Sequence, residues 1–412
     1  MTTWWCERAW LGHPDGATEA GVMITVDDDR ITAVEVGVAA PAGSERLAGL
    51  TIPGPANAHS HAFHRALRGR THGDGGTFWT WRDTMYDLAA RLDPDSYLAL
   101  ATAAFAEMAL AGFTCVGEFH YLHHGPDGRP YADPNERGET IRAAADAAGL
   151  RLTLLDTCYL HAGPVLAPDC GAVGPQSGAR TSGLGPVQRR FSDGDAAAWA
   201  ARVDELRATD TCRIGGAIHS VRAVDPVSIE VVAAWADGAD APLHAHLGEQ
   251  PAENEQCRAA YGLNPTRILA HHGALGDRFT AVHATHLSDQ DLAVLAGTGS
   301  GCCICPTTER DLADGIGPTA ALRDRGAPLC IGTDSHAVID PFEEARAVEL
   351  DERLASGQRG THPPASLLAM ATTEGCRRLG WPEGGRIELG ALADLTTVAL
   401  DSPRLAGTPA DQ

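Results

Sequence analysis

The chain has 412 residues, 44% of them hydrophobic and 21% charged, enough for one large core or two smaller ones. Its net charge of −22, from 32 basic and 54 acidic residues, argues against a nucleic-acid ligand, whose phosphates that field would repel. No apolar run reaches the roughly 18 residues of a membrane span, and the opening Met1-Thr2-Thr3-Trp4-Trp5-Cys6-Glu7-Arg8 lacks the basic start and apolar stretch of a secretory signal.

The 11 cysteines are odd in number and scattered, which reads as reduced thiols in a cytoplasmic protein. Cys302, Cys303 and Cys305 sit in an apolar run and are expected to pack as small buried thiols. Residues 1–50 read as short strands at 9–11, 21–26 and 30–36, with turn residues such as Asp27-Asp28-Asp29 between them. After residue 50 the pattern changes. Apolar, strand-length runs recur near 51–58, 114–120, 151–158, 213–220, 242–248, 280–285, 301–306 and 328–333. Helical candidates at 96–111, 136–148, 196–208 and 288–296 fall between them. Near-continuous apolar strands are buried on both faces, as in a parallel sheet.

Eight such units predict an α/β fold, a (β/α)8 TIM-like barrel over residues 51–380. Two long loops, 68–85 and 162–192, are expected to be lids or substrate walls. A helix is predicted from 363 to about 379, then strands and a turn over 385–398. Residues 1–50 and 381–412 together are expected to form a small β-sandwich domain.

In such a barrel the reactive side chains gather at the C-terminal ends of the strands. Those ends carry His59 and His61 on the first strand, and His219 with Arg222 on the fourth. The fifth carries His244, His246 and Glu249, the sixth His283 and the eighth Asp334. Strand side chains repeat every two residues, so His59-x-His61 presents both imidazoles on one face, while His244 points away from His246. His59, His61, His246 and Asp334 supply the nitrogen and oxygen ligands of a catalytic divalent ion, Zn2+ by preference with Fe2+ also acceptable. Glu249, three residues past His246, can act as proton shuttle, and His283 can orient or polarise the substrate. His244, His271, His272 and His286 are expected to be packing, helix or loop residues.

The series His59-x-His61, His246, His283 and Asp334 resembles the mononuclear aminohydrolase branch of the amidohydrolase superfamily. Within it, His59-Ser60-His61-Ala62-Phe63-His64-Arg65-Ala66, Phe78-Trp79-Thr80-Trp81-Arg82 and Gly117-Glu118-Phe119-His120-Tyr121 resemble the formimidoylglutamate deiminase family. So do His219-Ser220-Val221-Arg222, Val282-His283-Ala284-Thr285-His286 and Gly332-Thr333-Asp334-Ser335-His336. The resemblance implies hydrolysis of N-formimidoyl-L-glutamate to N-formyl-L-glutamate and ammonia, a step of histidine degradation. It gives Asp334 the proton of the attacking water, Glu249 the transfer to the departing nitrogen and His283 the stabilisation of the tetrahedral centre. It also implies that His64, Arg82, Tyr121, His219 and Arg222 line the pocket of an anionic small-molecule substrate, with His64 standing where better-known bacterial members have Gln. A homodimer is part of the same expectation; relatives typically carry further strands that complete the sandwich, so here it is expected to be smaller or cut short after Asp394-Leu395-Thr396-Thr397-Val398. Two other readings stay open: a ring deaminase of guanine, adenosine or triazine type using the same metal set, and a metal-binding scaffold without turnover.

Overall fold

The computed structural model describes residues 1–14, 16–71, 75–164 and 183–408. Thirteen strands form two sheets among them. The small sheet comprises β1 (Thr2–Trp10), β2 (Thr18–Asp27), β3 (Arg30–Glu35), β4 (Glu45–Pro53) and, from the far end of the chain, β13 (Leu395–Val398). Its order is β13-β4-β1-β2-β3, with β1 and β4 parallel and the other pairs antiparallel. Cys6, Ala9, Val22, Ile24, Val26 and Ile31 meet Ile387 and Ala391 in its own core, so the two ends of the chain pack together as predicted.

The barrel runs β5 (Ala56–Ser60), β6 (Cys115–His120), β7 (Arg151–Cys158), β8 (Cys212–Ile218), β9 (Leu243–Leu247), β10 (Phe279–His283), β11 (Gly301–Ile304) and β12 (Leu329–Ile331). All neighbours pair in parallel, in sequence order. Ser60 bridges Asp334, and His59 O accepts the N–H groups of Thr333 and Asp334, which joins the last strand to the first. Glycine at 332 permits that seam, because a Cβ there would stand 2.7 Å from His59 Cβ. Six of the eight strands are buried at every residue and the other two nearly so, which is why the runs read as apolar throughout.

The run predicted at 51–58 is two strands. Glu45–Pro53 pairs in the small sheet and Ala56–Ser60 opens the barrel. An apolar stretch does not say which sheet receives each half, and the break at Gly54-Pro55 decides it. The loop predicted at 68–85 ends sooner. A helix, Phe78–Arg91, begins inside it behind the Thr77–Thr80 capping box. Residues 72–74, and 165–182 of the loop predicted at 162–192, lie outside the described residues. The helix predicted from 363 is Pro364–Ala369, a π-turn over Met370–Glu374 and a last turn Gly375–Arg378. Among the described residues no helix is long and apolar enough to cross a membrane.

Candidate metal centre and substrate cavity

Four side chains from three strand ends converge behind the mouth of the barrel. His246 Nε2 lies 3.2 Å from His59 Nε2 and 3.3 Å from His61 Nε2. Asp334 Oδ1 lies 3.4 Å from each of the latter two nitrogens. Neighbouring ligands about 2.0–2.1 Å from a common centre stand about 3.0–3.4 Å apart, so these contacts match adjacent ligands of one divalent cation. The outer ring nitrogens fix which nitrogen faces inward. His61 Nδ1 donates to Phe119 O at 2.9 Å and His246 Nδ1 to His219 O at 2.8 Å, leaving each Nε2 lone pair toward the centre. Burial holds the His61 and His246 pKa values well below the ordinary range, so these rings are neutral, as ligands must be. Burial acts on Asp334 in the opposite sense, but His59 and His283 outweigh it and keep the carboxylate ionised.

Next to this set stands a chain of acids around one imidazole. His283 Nε2 is 3.7 Å from Glu249 Oε1 and 3.9 Å from Asp334 Oδ2, and its Nδ1 is 3.4 Å from Glu309 Oε1. Burial opposes charge on His283, yet Glu249, Glu309 and Asp334 push its pKa up to about 10. Burial raises Glu249 to about 7, with Asp334 adding to the shift and His283 opposing it. Asp314, hydrogen-bonded to Gln250, rises to about 9 through burial and the charge of Glu249. Glu309 and Asp314 were missed by sequence reasoning. Glu309 lies on the helix Pro306–Asp311 just past β11, the seventh strand, whose end carries no His or Asp to draw attention. His283, Ala284, Asp334 and His336 all have φ between 43° and 68°, and such backbone strain gathers where side chains must be aimed.

A cavity opens over the cluster, lined by His61, His246, Glu249, His283 and Asp334 at one end. Its walls carry His64, Arg82, Tyr121, His219 and Arg222. Thus eleven of the twelve side chains singled out in the sequence reach one place: ten line the cavity, and His59 lies behind His61 with its Nε2 in the cluster. The twelfth, His244, faces away as predicted and bonds Arg378 O at 3.0 Å. His286 and His272 bond Asp314 O and Glu230 instead. Cys302, Cys303 and Cys305 are buried, unpaired thiols.

Arg82 sits on the helix Phe78–Arg91, not on a loop, and stacks over Trp79 at 4.6 Å and Tyr86 at 5.5 Å. Arg222 approaches the same Trp79 ring at 5.9 Å. Neither guanidinium meets a carboxylate among the described residues, and the Nε of each is buried without a partner. Buried Arg190 and Arg137 both donate to Leu92 O, at 2.7 and 2.8 Å, and so pin the C-terminal end of that helix. His64 Nε2 meets Tyr121 OH at 2.9 Å, while its Nδ1 is buried and unpartnered.

The family model described as "Amidohydrolase family" matches residues 50–411. Formimidoylglutamate deiminase of Pseudomonas aeruginosa is 37% identical, covering 100% of this chain and 89% of that protein. 8-Oxoguanine deaminase of the same organism is 28% identical over 97% of this chain and 88% of its own length. Among solved structures, an amidohydrolase from Brucella melitensis superposes with a TM-score of 0.89 at 34% identity, covering 100% of this chain and 89% of that one. The fold, the converging ligands and these likenesses agree: the chain is an enzyme of the amidohydrolase family, and its similarity to formimidoylglutamate deiminase runs its full length.

Proposed function

We propose that the protein hydrolyses N-formimidoyl-L-glutamate to N-formyl-L-glutamate and ammonia, as a step of histidine degradation. The observation that carries this reading is the pair Arg82 and Arg222. Both guanidiniums line the cavity that ends at the ligand cluster, both approach the Trp79 ring, and among the described residues neither forms an ion pair, in a chain of net charge −22. That arrangement suits a substrate with two carboxylates at one end and a reactive carbon at the other. A ring deaminase would ask instead for amide groups facing the base, and none of the described residues that line the cavity is Asn or Gln.

His59, His61, His246 and Asp334 would hold one divalent cation, and three nitrogens with one oxygen suit Zn2+ while admitting Fe2+. When bound, such an ion acts as a Lewis acid and lowers the pKa of water toward roughly 7. The remaining work falls to the chain. Asp334 Oδ2, turned toward His283, takes a proton from the attacking water. The C–O bond forms first, and Glu249 then carries protons to the departing nitrogen, which leaves as ammonia as the C–N bond breaks. His283, held cationic by Glu249 and Glu309, orients the amidine carbon and steadies the tetrahedral centre. His64, Tyr121 and His219 shape the wall between the reacting end and the arginines.

An ammonia-release screen across formimidoyl amino acids and aminated heterocycles tests the substrate. N-formimidoyl-L-glutamate should be turned over best. Preference for guanine or another uncharged ring would overturn the substrate and leave the aminohydrolase chemistry standing. Elemental analysis of purified protein should find one divalent ion per chain, and a content near two would overturn the mononuclear reading.

A further inference from the structure

The turn that carries His59 and His61 is held from behind by five buried side chains. Asn57 Oδ1 accepts the Thr333 N–H at 2.9 Å, which fixes the orientation of the amide and makes Nδ2 the donor to Thr333 Oγ1 at 2.6 Å. Thr333 Oγ1 is 2.8 Å from His336 Nδ1, and His336 Nε2 is 3.1 Å from Ser60 Oγ. Ser60 Oγ donates to Glu118 Oε2 at 2.5 Å, and Ala62 N–H donates to Glu118 Oε1 at 2.7 Å. Glu118 therefore grips the residue on each side of His61, while His336 ties that turn to the segment bearing Asp334.

The donors run one way. Because Asn57 Nδ2 donates, Thr333 Oγ1 accepts there and must pass its own hydrogen to His336 Nδ1. With Nδ1 accepting, the ring hydrogen of His336 sits on Nε2 and goes to Ser60. Ser60 in turn donates to Glu118, so a line that starts from a fixed donor ends on the Glu118 carboxyl. Burial pushes the Glu118 carboxyl up to about 8, against the pull of Ser60 and Ala62. Protonation would also reverse the line and leave the Thr333 hydroxyl without an acceptor, a cost that favours the anion.

We propose that Asn57, Thr333, His336, Ser60 and Glu118 form a one-directional hydrogen-bonded brace that sets the spacing of the His59-x-His61 turn against Asp334. Glu118 and His336 are thereby positioning residues for the cation. The inference rests on the reading of His59, His61, His246 and Asp334 as a metal centre.

Chelator competition on the metal-loaded protein tests it. Glu118→Gln places donors at both ends of the line and should weaken metal retention by about 10–100-fold, the usual effect of losing such outer support. Adding Asn57→Asp moves the anion to the other end and lets every bond reverse, so the double variant should recover most of the loss. Asn57→Asp alone should weaken retention. The brace is overturned if Glu118→Gln holds metal like the native protein, or if the double variant is no better than Glu118→Gln. A merely structural role for Glu118 would lower the melting temperature without this rescue. Should Glu118→Gln not fold, Ser60→Ala removes one hydroxyl from the middle of the line, and native-like retention there overturns the brace as well. If His61→Ala keeps the cation as well as the native protein does, the metal reading itself fails.

Discussion

Glu249→Gln is expected to lower kcat by about 10²–10⁴-fold and to leave the bound metal in place, the range for loss of a general acid–base group. The side chain lies 3.7 Å from His283 and lines the cavity, yet it stands outside the four-ligand set. Gln keeps its size and hydrogen bonding but cannot carry a proton. Burial places the Glu249 carboxyl at about 7, where it can both accept and return a proton near neutral pH. Its basic form fills as pH rises through that value, so the native rate should rise with pH on an acid limb near 7, and the variant should lack that limb. Metal content, kcat and the pH profile of kcat/KM check this together. A variant that stays active, or that loses metal in step with activity, would remove Glu249 from the role.

Arg82→Met and Arg222→Met should each lower kcat/KM on N-formimidoyl-L-glutamate by about 10–150-fold. A formimidoyl group offers little surface to grip, so binding must come from the glutamate carboxylates. A hydrogen bond to a charged group contributes about 1.5–3 kcal/mol, which is the fold-change stated. Met keeps much of the volume beside Trp79 and removes the charge, so packing should survive. The two variants should differ in kind. A formimidoyl substrate lacking the side-chain carboxylate should be poor for the native enzyme, and one of the two variants should no longer discriminate against it. Native-like kinetics in both variants would end the glutamate assignment.

Both variants depend on a helix that the sequence did not announce. The stretch Phe78-Trp79-Thr80-Trp81-Arg82 follows Gly and Thr residues and has no clear apolar period, so it reads as loop. Its helical state comes from the Thr77 cap and from Arg190 and Arg137, more than 40 residues away, which bond the residue at its end. The same helix puts Trp79, not the adjacent Trp81, under Arg82.

Apart from the split of the first run, the barrel was legible strand by strand, because burial on both faces writes each strand as an apolar run and the strand ends carry the chemistry. The two-residue period also sorted His246 from His244, and His59 with His61, since side-chain direction in a strand is a local property. Which groups then meet was not local. His59 and Asp334 are brought within 3.4 Å by closure of the sheet, and Glu309 reaches His283 from the one neighbouring strand end without a marked residue. The line from Asn57 to Glu118 joins three strand ends far apart in sequence. Periodicity and residue type thus determined the strands, the faces and the ligand types. Distances, charge states and the partners behind the ligands were decided only when the sheet closed, because they depend on contacts between segments that carry no mark of one another in the chain.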